Sequence, residues 1–493
     1  MWPFKRKKVE TYKPSAQQKR HYQRFMSASA DRLTEDWTTE SYPIDQHIKK
    51  DLHALRARSR ELARNNEYAR RFLNMVKHHV IGPTGIKVQA QVMRGDNRKK
   101  LDDAANDAIE AAWADWGKTD CTVDGRYTWL EVQQLAIATI AQDGEFLAIK
   151  HIGPGKYGYQ LELLDPELIN TDYDAPMSNG SYIRMGIEYN RRGEKLAYHL
   201  RAVDEYGNYM RSPGRSIPAQ KVIHAFISEW IGQSRGLPWL SNAARSMKLL
   251  DGYQEAAITA ARVGASNMGF IQTDTGEELV GDGVDSSGYE TIDAEPGTFR
   301  KVGGDVTGLL NFDPDYPHQQ YADFVKANLR TIASSLGCSY NLLANDLEGV
   351  NYSSMRAGSL EEREFWKSTQ EWLIDSLIRP VYTEWVERAV MKGAIKIGQT
   401  PLRRLPHHYL AAKFQARRWD WVDPQKDIAA HEKAVSLGIK SRSQIIRENG
   451  QDPHEVWREM AAEQEEMKSL GLEVSIDGQT DENPRTNSNA GSD

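Results

Sequence analysis

Apolar residues recur three, four or seven apart along residues 46–80, at Leu52, Leu55, Leu62, Ala69, Phe72, Leu73, Val76 and Val80. That spacing predicts one long helix, stopped by Gly82-Pro83. Alternation over 86–92 (IKVQAQV) predicts a strand, and two further helices follow, over 98–116 with Gly117 at its end and over 128–142 ahead of Asp143-Gly144. The period then changes to two. Strands are predicted at 145–152, 158–164, 182–189, 195–201 and 221–227, with Arg192-Gly193 as a turn. From Pro238 to about 265 the chain reads as a helix rich in Ala, and residues 270–312 form a Gly-containing excursion with weak alternation. A helix over 318–336 has Gly337 as its stop, 338–352 reads as a loop, and 353–391 is a long Trp-rich helix that Pro380 should kink. Three short helices near 424–437, 441–449 and 453–469 follow, with Asp423-Pro424, Ser441 and Asp452-Pro453 as caps. The fold class is α+β and mainly helical, with helices first, an antiparallel meander next and helices again after it.

Composition changes this picture little, and charge changes it more. The chain has 493 residues, 40% hydrophobic and 27% charged, which is ordinary for a folded protein. No stretch approaches the roughly 18 apolar residues that cross a bilayer, so no membrane partner is expected. No apolar segment follows the charges of MWPFKRKKVE, and Cys121 and Cys338 supply no disulfide framework; synthesis in a reducing cytosol is expected. The net charge of −6 hides a banded layout. Residues 1–25 carry eight Lys/Arg and one acid, 49–77 carry nine against three, and 272–299 carry eight acids and no Lys/Arg. The basic helix is either a solvated face or a binding face. The acidic run is either an acidic loop or a docking surface for a basic partner.

Motifs that suggest chemistry fail on context. Residues 112–119 (AWADWGKT) fit a relaxed phosphate-loop pattern, but Trp113 and Trp116 fill the turn that must be small, and a helix precedes it; a helix end capped by Gly117 is the better reading. GPGKYG at 153–158 joins two predicted strands and reads as a hairpin turn. His78-His79 and His407-His408 are adjacent and cannot both face one metal. No catalytic residue, metal or cofactor is nominated, and no enzyme activity is expected.

Several segments, taken in order, resemble the portal proteins of tailed bacteriophages, lambda-like family. They include RNNEYARRFLNMVKHHVIGPTGIKVQAQ, AQDGEFLAIK, RMGIEYNRRGEKLAYHL and IPAQKVIHAFISEWIGQSRGLPWLSNA; the pair IASSLGCSYNLL and SSMRAGSLEEREFW; and WDWVDPQKDIAAHEKAVSLGIKSRSQIIRENGQDPHEVW. The resemblance covers about residues 30–470. It implies a non-enzymatic ring, typically a dodecamer, at one vertex of the virion capsid. Double-stranded DNA is driven through that ring by a terminase motor and later ejected. By order along the chain it implies a basic arm (1–40), an α+β wing (41–235), a stem helix (236–269), an acidic clip (270–312), a second stem helix (313–337), a tunnel loop (338–352), a kinked helix returning to the wing (353–419), a crown (420–471) and a tail (472–493). Partners implied are further copies of the chain, DNA read without sequence preference, the terminase large subunit, scaffold or major capsid protein, and a head-completion or tail adaptor.

The DNA-channel candidates are Leu343, Asn345, Asp346, Glu348, Asn351 and Tyr352 of the loop, with Lys326 and Arg330, one helical turn apart, on the stem. The docking candidates in the clip are Asp274, Glu277, Glu278, Asp282, Asp285, Glu290, Asp293 and Glu295. A ring of about twelve such chains would carry roughly −72, which limits the phosphate grip that would brake sliding DNA. A monomeric helical adaptor and an ATP-dependent packaging enzyme are the competing readings; the second has only AWADWGKT behind it.

Overall fold

The computed structural model describes residues 40–94, 101–265, 269–273, 283–284, 290–291, 299–301, 306–311, 320–348, 352–402, 406–419, 424–449 and 451–469. Helices predominate. The segment predicted as one helix over 46–80 is two, α1 (Ile44–Asn65) and α2 (Glu67–Val80). Asn66 divides them: its backbone is extended, and its side chain accepts from the Ala69 amide at 3.0 Å, capping α2. After β1 (Lys87–Ala90) comes α3 (Asp103–Thr119), which runs through Gly117 instead of stopping there. Trp113 and Trp116 stack at 4.8 Å inside the core, so AWADWGKT is helical, with Ala112, Trp113 and Trp116 on its buried face, and no phosphate loop. α4 (Trp129–Asp143) opens with a Thr128/Glu131 capping box and ends on left-handed Gly144 (φ 91°). A Cβ there would lie 2.5 Å from the Leu237 backbone carbon, so Gly144 also permits that close crossing.

β2 (Phe146–Ile152) and β3 (Tyr159–Leu164) form the predicted hairpin around GPGKYG, and β9 (Val222–Ala225) pairs with the other edge of β2. Between them β4 (Ala175–Pro176), β5 (Tyr182–Arg184), β6 (Ile187–Tyr189), β7 (Lys195–Val203) and β8 (Tyr209–Pro218) make a sequential five-stranded meander. The strand predicted over 182–189 is two, turned at Met185-Gly186, where φ is 48° and 76°.

α5 (Ala244–Ala265) starts later than Pro238, because 238–243 form turns. In the excursion, β10 (Gly269–Thr273), β13 (Phe299–Lys301) and β14 (Val306–Asn311) form one sheet, and β11 (Gly283–Val284) pairs with β12 (Glu290–Thr291). α6 (Tyr321–Leu336) ends on left-handed Gly337 as predicted. The predicted loop contains a short helix, α7 (Tyr340–Ala344), capped by Ser339. α8 (Tyr352–Leu373) and α9 (Arg379–Met391) are joined by a π-helical turn, Ile374–Ile378, in which the Arg379 amide bonds the carbonyl five residues back. This is how the helix accommodates Pro380, whose ring would strike the carbonyl four residues before it. The chain continues through a β15 (Lys396–Ile397)–β16 (Thr400–Pro401) hairpin to β17 (Ala412–Gln415), which pairs with β1. It closes with α10 (Pro424–Ser436), α11 (Arg442–Glu448) and α12 (Pro453–Ser469). Ser441 and Asp452 cap as predicted, accepting from Gln444 and His454 amides; Asp423 lies outside the described residues.

One large apolar core joins α2, α3, α4, α6, α8 and α9, with Trp113, Trp116, Trp129 and Trp385 at its centre. Each fully buried Leu, Ile, Val or Phe packed around them contributes about 1.5–3 kcal/mol. A smaller cluster holds the meander against β2 through Leu147, Ile149, Ile187 and Tyr198. Between the two lies a buried charge cluster. Glu145 (0% exposed) is hydrogen-bonded by Arg56 (1%), Arg235 (0%), the His224 ring and the Gly236 amide. Burial alone would raise the Glu145 pKa, but Arg235, Arg56 and His224 hold it well below the usual range. Burial lowers His224 to about 4, so its ring is neutral at pH 7. Its Nε2 then donates to Glu145 (2.7 Å), leaving Nδ1 to accept from Tyr198 (3.3 Å). Arg235 also donates to Thr171, Met185 O and Pro166 O. The cluster therefore fixes α1, β2, β9, the meander and the lead into α5 to one another.

Candidate nucleic-acid interface

α6 is amphipathic: Leu329, Ile332, Ala333 and Leu336 are buried, which turns Lys326 and Arg330 outward on one face. The segment after Gly337 folds back along that face. The Lys326 ammonium donates to Glu348 at 3.2 Å and lies 3.6 Å from Asp346. Asp346 in turn accepts from the Tyr340 hydroxyl at 2.6 Å, and the Arg330 guanidinium sits 5.4 Å from the Tyr340 ring centroid. The hydrogen bond from Lys326 to Glu348 and the charge of Asp346 raise the Lys326 pKa, while Tyr340 and the Glu348 amide lower that of Asp346. Lys326 thus faces two carboxylates, while Arg330 lies over the Tyr340 ring.

The structure brings Lys326, Arg330, Asp346 and Glu348 together. Asn345 sets the turn between them, standing in the left-handed region (φ 53°) at the end of α7. Leu343 belongs elsewhere: it is 2% exposed and packs in the main core, so it anchors α7 and is corrected out of the DNA-facing set. An apolar side chain in a polar loop is better explained by that burial. Tyr352 is the first residue of α8, and Asn351 lies outside the described residues. Of the docking candidates, Glu290 is a β12 residue; Asp274, Glu277, Glu278, Asp282, Asp285, Asp293 and Glu295 lie outside the described residues. Two participants carry no sequence signal. Tyr340 links Arg330 to Asp346, and Arg71 of α2 donates to the Leu342 carbonyl at 3.2 Å, pinning α7 to α2.

The paired histidines do not build a site. The His79 ring is stacked between Trp366 and Trp419, accepts from Trp419 Nε1 at 3.0 Å, and is lowered to about 4 by burial and then by Arg417. Among the described residues no group of three His, Cys, Asp or Glu could hold a metal, and no helix is long and apolar enough to cross a membrane.

The fold thus sets an antiparallel meander beside a helical core, with strands β10 to β14 between α5 and α6 in the chain. Residues 30–370 match the model of the phage portal proteins, lambda family, and the chain belongs to that family. It is 34% identical over 462 residues to a probable portal protein of Halomonas phage phiHAP-1, covering 91% of this chain and 87% of that one. It is 20% identical over 478 residues to portal protein B of Escherichia phage lambda, covering 88% of each. Among solved structures it is similar to a chain in the neck of a native gene transfer agent particle computed with C12 symmetry, with a TM-score of 0.40, 11% identity, and coverage of 82% of this chain and 94% of that one.

Proposed function

We propose that this portal protein works as a ring of about twelve copies at one capsid vertex, a passive conduit through which a separate terminase motor drives double-stranded DNA and through which the DNA later leaves. The observation that carries this reading is the family match across residues 30–370, together with the relative that is 34% identical over most of both chains. Within it, α5 and α6 form the stem, residues 270–312 the terminase- and adaptor-docking clip, 338–352 the tunnel loop, the body before α5 the wing, and α10 to α12 the crown. The patch in which Asp346 and Glu348 neutralise Lys326 suits a DNA-facing surface, because a cation already paired within the chain grips phosphate weakly. Clip docking is tested by deleting residues 272–299. Rings should still close, and terminase binding by pull-down should be lost; undiminished terminase binding would remove the clip from that role.

A further inference from the structure

A groove of about 410 Å³ runs between α1 and the first turns of α5. Its floor is apolar, made by Leu55, Leu62 and Leu249, and Leu249 is 65% exposed. Its rim is basic. Lys248 reaches Glu61 at 3.4 Å, whereas Arg58 and Arg245, also on the rim, have no acidic partner among the described residues. The complementary chemistry lies on α8. Glu361, Glu364, Ser368 and Glu371, with Asp375 of the π-helical turn that follows, are exposed on successive turns and so share one face. Glu364 pairs with Lys367 and Asp375 with Arg379, but Glu361 and Glu371 have no cationic partner among the described residues. Leu360 (49% exposed) and Phe365 (39%) flank that face with apolar surface.

Both surfaces are built on the same core. α2 packs against α1 on one side and against α8 on the other, and Leu62, Trp366 and Leu373 belong to one buried cluster. The groove and the acidic face are therefore held at a fixed angle to each other. A fixed angle gives every head-to-tail contact the same rotation, without which no ring of identical copies can close.

We propose that the groove between α1 and α5 of one copy receives the acidic face of α8 from a second copy. Arg58 and Arg245 would meet Glu361 and Glu371, while Leu360 and Phe365 cover the exposed Leu249 of the floor. The proposal rests on the ring reading above and assigns that ring one pair of contact surfaces. Electrostatic complementarity would select the partner face, and burial of the leucines would hold it.

The test uses two full-length variants, Arg58→Glu with Arg245→Glu, and Glu361→Lys with Glu371→Lys. Ring fraction is read by native mass spectrometry under conditions in which the unmodified chain closes rings. Each variant alone brings like charges together and should lose rings by more than about tenfold. In an equimolar mixture every groove again meets an opposite charge if the two variants alternate, so rings should return with the two masses in equal number. That return also shows that both variants fold. Rings formed by the groove variant alone, or a mixture that forms none, would overturn the assignment. Rescue of the groove variant by Glu459→Lys with Glu463→Lys would give the groove to α12 and overturn it equally. Unmodified chains that never close rings would fail the ring reading itself and take this contact with it.

Discussion

Replacing Glu145 by Gln removes the only carboxylate that Arg235 meets among the described residues, at a site where both side chains are fully buried. Arg56 keeps Glu167 at 3.2 Å, but Arg235 is left with the Thr171 hydroxyl and the carbonyls of Met185 and Pro166. Neutral acceptors do not compensate a desolvated guanidinium. Breaking one side of a buried ion pair costs about 3–5 kcal/mol, a large share of the roughly 5–15 kcal/mol that stabilises a folded domain. Urea denaturation followed by tryptophan fluorescence should therefore show Glu145→Gln destabilised by about 3 kcal/mol or more at pH 7. The gap should narrow with acid. The folded pKa of Glu145 lies well below its unfolded value, so its stabilisation is present above about pH 4.5 and is lost as pH falls toward the folded value. A variant within about 1 kcal/mol of the unmodified chain at pH 7 would refute the claim that this cluster bears on the fold.

Two further outcomes follow from the same chemistry and from the α6 patch. His79 and His224 each fall from 6.5 to about 4, so each favours the folded state above pH 6.5, the fully buried His224 by up to about 3 kcal/mol and the partly exposed His79, screened by solvent, by less. That contribution should drain away between pH 6.5 and 4 in a melting-temperature series, and His224→Gln should flatten the decline. Lys326→Glu with Arg330→Glu should alter DNA retention in packaged particles more than ring formation; unaltered packaging and retention would place those side chains away from the DNA.

What the sequence made legible follows from how local each signal is. Gly144 and Gly337 end helices because their left-handed backbones are needed within one turn, and Thr128, Ser441 and Asp452 cap by reaching two or three residues ahead. The break at Asn66 was hidden because apolar spacing continues across it from Leu62 to Ala69. β8 was missed because Pro213 and Gly214 interrupt it, and its pairing with β7 shifts register nearby. The buried charges were the least legible. Arg56 lies in a basic run that reads equally as a solvated face, and only the fold brings Glu145, 89 residues on, against it. In the loop the polar residues gave the candidates, but the pairing of Lys326 with Asp346 and Glu348 depends on how α7 folds back, which no spacing announces.

The central claim is that this chain closes into a ring around DNA. The most direct measurement is the native mass of the purified protein, with images of the same sample and, where needed, with a capsid scaffold added. The account predicts closed rings of about twelve copies with an axial hole wide enough for a duplex. Monomers that persist at high concentration and beside the scaffold would contradict it.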